Sequence, residues 1–282
     1  MCIRDRAYSC GTKYPQMHVY SIVALDFDRD GRLDLFVTGS RSPAAHLSIE
    51  SKTDLLRVYR NESRPGQIRF SDVTEQAGLS FFNDERVASV FPEAPQLFPQ
   101  LAAGVPADVD NDGYMDVVHV NRRAFHRGDT LSCFVWRNNG DGGFDFVPFD
   151  RHGLTGTARE ISVGDFDGDG RVDLALFHDK SVRLYANRIT NANHWLKVNV
   201  TWPEKRIGLG SKVTVLQAGT EQILGYDEVR TDVCYRSRRS TTLFFGLGNA
   251  KKVDVHVVTP SGRQQLFEQL AANDLHILNL KQ

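Results

Sequence analysis

Only four cysteines occur in 282 residues, Cys2, Cys10, Cys133 and Cys234, at irregular spacings. A disulfide framework is thereby excluded, although one bridge stays open in an oxidising compartment. No stretch approaches the ~20 apolar residues of a helical membrane span. Met1-Cys2-Ile3-Arg4-Asp5-Arg6 lacks the apolar core of a secretory leader. Neither sign of charge prevails, with 34 Lys+Arg against 35 Asp+Glu and a formal net charge of -1. Without a basic domain or cationic stripe, a nucleic-acid partner is not expected. His-Glu-x-x-His, Gly-x-Ser-x-Gly and phosphate-loop motifs are absent, and the nine His are scattered without metal-ligand spacing. No local motif marks an enzyme.

What the chain does contain is acidic and repeated. Asp-x-Asp-x-Asp-Gly-x-x-Asp, followed by an aliphatic residue, occurs at Asp26 to Leu35, Asp108 to Val117 and Asp165 to Leu174. Carboxylates at positions 1, 3, 5 and 9 can converge on a hard cation, the position-6 Gly permits a sharp turn, and the position-7 carbonyl adds a backbone oxygen. The expected calcium ligands are therefore Asp26, Asp28, Asp30 and Asp34 with the carbonyl of Arg32; Asp108, Asp110, Asp112 and Asp116 with that of Tyr114; and Asp165, Asp167, Asp169 and Asp173 with that of Arg171. About three structural Ca²⁺ ions follow.

Two other readings compete. A helix-loop-helix calcium site needs a bidentate Glu at position 12 and flanking amphipathic helices. Position 12 is Val37, His119 or Leu176, and the residues after each loop are short, partly β-branched apolar runs, so the flanks are strands. A plain polar hairpin is the other competitor; three copies with every Asp intact argue against it. Charge agrees: with the twelve loop Asp set aside the remaining chain is +11, and three divalent ions would carry the total from -1 to about +5.

A second phrase recurs after each loop: aliphatic, aromatic, any residue, Asn. It reads Val58-Tyr59-Arg60-Asn61, Val135-Trp136-Arg137-Asn138 and Leu184-Tyr185-Ala186-Asn187, with the Asn 35, 30 and 22 residues beyond the first loop Asp. Phe70 to Leu79 and Phe144 to Leu154 supply a third phrase in the first two copies. Upstream strands are expected at Ser21 to Leu25, Ala103 to Ala107 and Ile161 to Gly164. Four short strands per unit at this period describe a propeller blade. The third unit has no recognisable fourth strand. The loops begin 82 and then 57 residues apart, and residues 81–99, with three Pro and two Phe after Phe81 and Phe82, form an insertion that is either a binding loop or a tolerated excursion.

These loops and phrases resemble the FG-GAP/VCBS repeat family over about Tyr14 to Asn187. The resemblance implies a calcium-binding β-propeller. Three blades do not close a ring, so the chain is expected to lack N-terminal blades of the same protein or to assemble with another chain. The expected divisions are an unassigned start at 1–13, blades at 14–80, 81–154 and 155–190, and a second β domain at 191–282.

In that last part Trp195 to Val200, Lys212 to Leu216, Gln222 to Gly225, Thr241 to Phe245, Lys252 to Val258 and His276 to Leu280 alternate as strands. Gly208-Leu209-Gly210, Gly246-Leu247-Gly248 and Ser261-Gly262 read as turns. A small sandwich or open barrel follows, and the whole chain is all-β. Gly208 to Val213, Tyr235-Arg236-Ser237, Phe245 to Gly248 and Val253 to Val255 running to Pro260-Ser261-Gly262 resemble the ASPIC/UnbV domain. Thr259 departs from that family's usual Trp. Arg236, Arg238 and Arg239 form a basic cluster, either a solvated loop or a dock for carboxylates. Phe244, Phe245, Trp195 and Trp202 read as packing.

The favoured function is a calcium-stabilised, non-catalytic extracellular binding or adhesion module with a protein or glycan ligand. The C-terminal part of a secreted propeller enzyme acting on a glycan or small molecule is the alternative, because propellers gather catalytic groups from several blades without a local motif. Low-affinity loops, with Kd of roughly 10⁻⁴–10⁻³ M, suit an extracellular, periplasmic or cell-surface location. Asn61-Glu62-Ser63 and Asn199-Val200-Thr201 are glycosylation acceptors where the host modifies them.

Overall fold

The computed structural model describes residues 17–41, 56–79, 101–121, 133–148, 158, 160–178, 181–231 and 240–281. The 81–99 insertion, Arg236, Arg238, Arg239, Cys2, Cys10 and Cys234 lie outside the described residues.

Strands β1 (Met17–Leu25), β2 (Asp34–Arg41), β3 (Leu56–Asn61) and β4 (Phe70–Asp72) form one antiparallel sheet in sequence order. β5 (Leu101–Ala107), β6 (Asp116–Asn121), β7 (Cys133–Asn138) and β8 (Phe144–Pro148) repeat the pattern. β9 (Glu160–Gly164), β10 (Asp173–His178) and β11 (Ser181–Tyr185) make the third sheet, with three strands as expected. Each acidic loop joins the first two strands of its sheet, and no helix flanks it. β1, β5 and β9 neighbour one another from sheet to sheet, so the three units stack as blades about their first strands.

Alternation along each strand gives every blade two apolar faces. Val23, Leu25, Phe36 and Val58 of the first blade meet Val117, Phe134, Trp136, Phe144 and Phe146 of the second. On the second blade's other face Val105, Val118 and Val135 meet Ile161, Leu174 and Leu176 of the third. The far face of the third blade is uncovered among the described residues: Phe177, Val182 and Leu184 are 45%, 58% and 68% exposed.

The C-terminal domain is a two-sheet sandwich. β12 (His194–Trp202) carries antiparallel β16 (Leu243–Gly248) and the short β13 (Arg206–Ile207) on one edge and parallel β19 (Asp274–Asn279) on the other. The second sheet runs β15 (Ile223–Glu228), β14 (Lys212–Gln217), β17 (Lys252–Val258), β18 (Gln264–Ala271). Leu196, Val198, Val213, Val215, Leu243, Phe245, Val253 and Val255 fill the space between them.

One sequence expectation is corrected here. Gly246-Leu247-Gly248 is not a turn but the end of β16, with Leu247 buried in the sandwich core. Glycine at 246 is demanded by crowding, since a β-carbon there would collide with the Asp108 carboxylate and the Asn111 backbone. β18 has no counterpart among the expected strands, because Gln264 to Ala271 places apolar residues at the half-exposed edge of a sheet, where hydrophobic alternation is weak.

Candidate metal centres

In each blade the hairpin brings three carboxylates together. Asp26, Asp28 and Asp34 each offer an oxygen within 4.8 Å of the others, as do Asp108, Asp110 and Asp116, and Asp165, Asp167 and Asp173. Oxygens bound to one Ca²⁺ at about 2.3–2.6 Å lie up to roughly 5 Å apart, so each triad matches the span of a single ion. Asp28 Oδ1 is buried and has no hydrogen-bond partner among the described residues, a cost that a cation would relieve.

Backbone bonds hold these side chains in place. The position-1 Asp accepts from the position-5 N–H on one oxygen and the position-6 Gly N–H on the other: Asp30 and Gly31 to Asp26, Asp112 and Gly113 to Asp108, Asp169 and Gly170 to Asp165. The position-9 Asp accepts from the position-2 N–H and from the N–H of the Asn that closes the second phrase. Phe27 and Asn61 donate to Asp34, Val109 and Asn138 to Asp116, Phe166 and Asn187 to Asp173.

The position-5 residues stand apart. Asp30, Asp112 and Asp169 are outside the triads; each accepts the position-7 N–H, and Asp30 and Asp169 also pair with the side chains of Arg32 and Arg171. Arg32 and Arg171 thus contribute guanidinium groups at the rim besides the carbonyls expected from the sequence.

Electrostatics is lopsided among the loops. Burial, with neighbouring Asp charges, pushes Asp26 up to about 7 and Asp108 to about 8. Asp34 rises to about 8 and Asp116 well above the usual range, burial again leading. At Asp165 burial pushes the same way, but the ammonium of Lys197 and the Gly170 and Gly168 N–H bonds outweigh it and bring the group below its usual value.

Sequence reasoning recognised the Asn phrase without its role. Each Asn amide donates to the position-8 carbonyl of its own loop, Leu33, Met115 or Val172. Asn138 Nδ2 also donates to Phe27 O at 2.8 Å, and Asn187 Nδ2 to Val109 O at 2.7 Å, in the loop of the preceding blade. Position 4 provides a second link. Arg29 (φ 58°) donates to Asp112 O and Gly113 O, and Asn111 (φ 58°) to Gly170 O. Both adopt the left-handed conformation that costs a residue with a β-carbon about 1 kcal/mol, and both use it to aim a donor at the next loop.

The C-terminal domain lies across these loops. Ile223 packs on Gly31, Gly248 N–H donates to Asn111 O at 3.0 Å, Trp195 presses on Gly170, and Lys197 pairs with Asp165. Phe244 stacks on Trp195 and joins the core between the second and third blades, while Phe245 is in the sandwich core. The expectation of packing roles for these aromatics fits their placement.

A radial β assembly with acidic hairpins covered by a β-sandwich is the class that the geometry defines. Residues 108–176 match the FG-GAP-like repeat family and residues 201–282 the family described as ASPIC and UnbV. The chain thus carries a segment similar to an FG-GAP-like repeat followed by one similar to the ASPIC/UnbV domain. It is homologous to cartilage acidic protein 1: 26% identical to the Mus musculus protein over 269 residues, covering 92% of this chain and 36% of the relative. The Homo sapiens protein gives 26% over 269 residues, with 92% and 35% covered, and the Xenopus tropicalis protein 24% over 267, with 92% and 36%. The chain therefore spans about a third of the length of these curated relatives. Its first loop lies outside the matched repeat yet forms the same carboxylate triad.

Proposed function

We propose that the chain is a calcium-stabilised, non-catalytic binding module that works outside the cell or at its surface, with one structural Ca²⁺ at each of the three acidic hairpins. The observation that carries this reading is the convergence of three carboxylate triads within 4.8 Å at equivalent corners of successive blades. Bound calcium would neutralise each corner and let the Asn and position-4 links between blades form without repulsion. The FG-GAP and ASPIC/UnbV matches and the homology to cartilage acidic protein 1 support a module of extracellular type. No described helix is long and apolar enough to cross a membrane.

The ligand surface we assign is the cleft of about 740 Å³ where the loop tips meet the C-terminal domain, lined in part by Arg29, Asp112, Gln217, Lys251, Lys252 and Gln269. Three cations against one carboxylate favour an acidic ligand, a protein or glycan presenting carboxylates or sulfates. A screen of acidic and neutral glycans and matrix proteins in calcium tests this assignment. Binding of acidic ligands, reduced at least about tenfold in the Lys251→Glu/Lys252→Glu double variant, is expected. Turnover of a glycan in the same screen would instead identify an enzyme.

A further inference from the structure

We infer that Lys197, on the C-terminal domain, is the built-in counter-charge of the third acidic loop, so that this loop holds its divalent ion more weakly than the other two and couples ion entry to the grip of that domain. The inference rests on the calcium reading above and adds a difference among sites that repeat the same motif.

Apart from Arg32 and Arg171 on the position-5 carboxylates and Arg29 on the second loop's carbonyls, each triad pairs with one cation, and the origin of that cation changes. In the first two blades it is the Arg of the second phrase, reaching the position-3 carboxylate of its own blade: Arg60 to Asp28 at 2.8 Å and Arg137 to Asp110 at 2.5 Å. The third phrase has Ala186 at that place and supplies none. Lys197 comes instead from β12 and pairs with Asp165 at position 1.

The two kinds of cation answer an arriving ion differently. The Arg60 and Arg137 side chains are 40% and 48% exposed, and although Arg60 lies 5.6 Å from the Phe27 ring with its Nε buried, side chains this exposed can swing their guanidinium groups into water at little cost. Lys197 is 16% exposed and its ammonium sits over the rings of Trp195 and Phe244, 4.9 and 5.7 Å from their centroids. Trp195 in turn presses on Gly170, where any β-carbon would collide with the indole. Lys197 therefore cannot retreat unless β12 moves. An ion held by Asp165 would lie roughly 5 Å from the ammonium. Repulsion between a divalent and a monovalent cation at that distance weakens binding about tenfold or more, even at the dielectric constant of water.

Calorimetric titration of calcium into the metal-stripped chain tests this, read alongside hydrogen exchange of β12. Two tighter ions and one at least about tenfold weaker are expected, with exchange of β12 amides rising as the weak site fills. Asp167→Asn, at an exposed third-loop position, should remove the weak ion alone. Lys197→Met should draw the third ion into the tighter class, whereas Lys197→Arg should keep it weak. Three equivalent ions that Lys197→Met leaves unchanged, or loss of a tight ion in Asp167→Asn, would overturn the inference while leaving structural calcium standing. No calcium binding by any loop would overturn both.

Discussion

His119 shows how much one residue can be decided by its surroundings. It is fully buried, both ring nitrogens lack partners among the described residues, and the ring lies against Phe134 and Phe36 at centroid distances of 5.6 and 5.7 Å. Gly104 makes the room, since a β-carbon there would sit 2.6 Å from Nε2. Burial lowers its pKa from 6.5 to about 3. A depressed histidine binds its proton more readily when unfolded, so its neutral form favours folding fully above pH 6.5. That support falls away between pH 6.5 and about 3, by about 1.4 kcal/mol per pH unit. Denaturant melts of His119→Leu at pH 7 and pH 5 should show a smaller loss on acidification than the parent, by about 2 kcal/mol. Equal losses would show that His119 is solvated or paired. From the sequence this position is only position 12 of a loop, and the lack of a calcium-binding Glu there was legible. The apolar, partnerless setting was not, because it depends on Phe36 and Gly104 from other strands.

At the scale of the element, the acidic hairpin and the Asn phrase act as one unit. The loops were legible because their ligands are local in sequence, within nine residues. The Asn role was hidden because its bonds join groups as far apart as Phe27 and Asn138. Asn138 is fully buried and serves two blades, whereas the Asn61 amide donates to Leu33 O of its own blade. Asn138→Ala should therefore cost about 2–4 kcal/mol by leaving buried carbonyls unpaired, and Asn61→Ala at least about 1 kcal/mol less. Chemical denaturation of the two variants in calcium makes the comparison. Because the Asn61 amide is engaged by Leu33 O and Ser63 N, its glycosylation motif competes with a structural role.

Across the whole molecule, the β architecture was written in the repeat, and the three-stranded third sheet follows from the missing phrase after Asn187. The docking of the C-terminal domain on the loops was not legible. Gly246-Leu247-Gly248 resembles a turn in sequence and becomes a strand end because only a bare backbone fits against Asp108 and Asn111. Gly246→Ala should cost at least about 2 kcal/mol through overpacking at this junction. It should also weaken calcium at the second loop without altering the isolated sandwich core, as a titration and a melt of the same variant would show.

Thermal melting of the metal-stripped chain in a chelator and again in about 5 mM calcium tests the central claim most directly. With Kd values of roughly 10⁻⁴–10⁻³ M at three sites, the melting temperature should rise by about 5 °C or more. An identical melting temperature in both solutions would contradict the assignment of the acidic hairpins as metal cages.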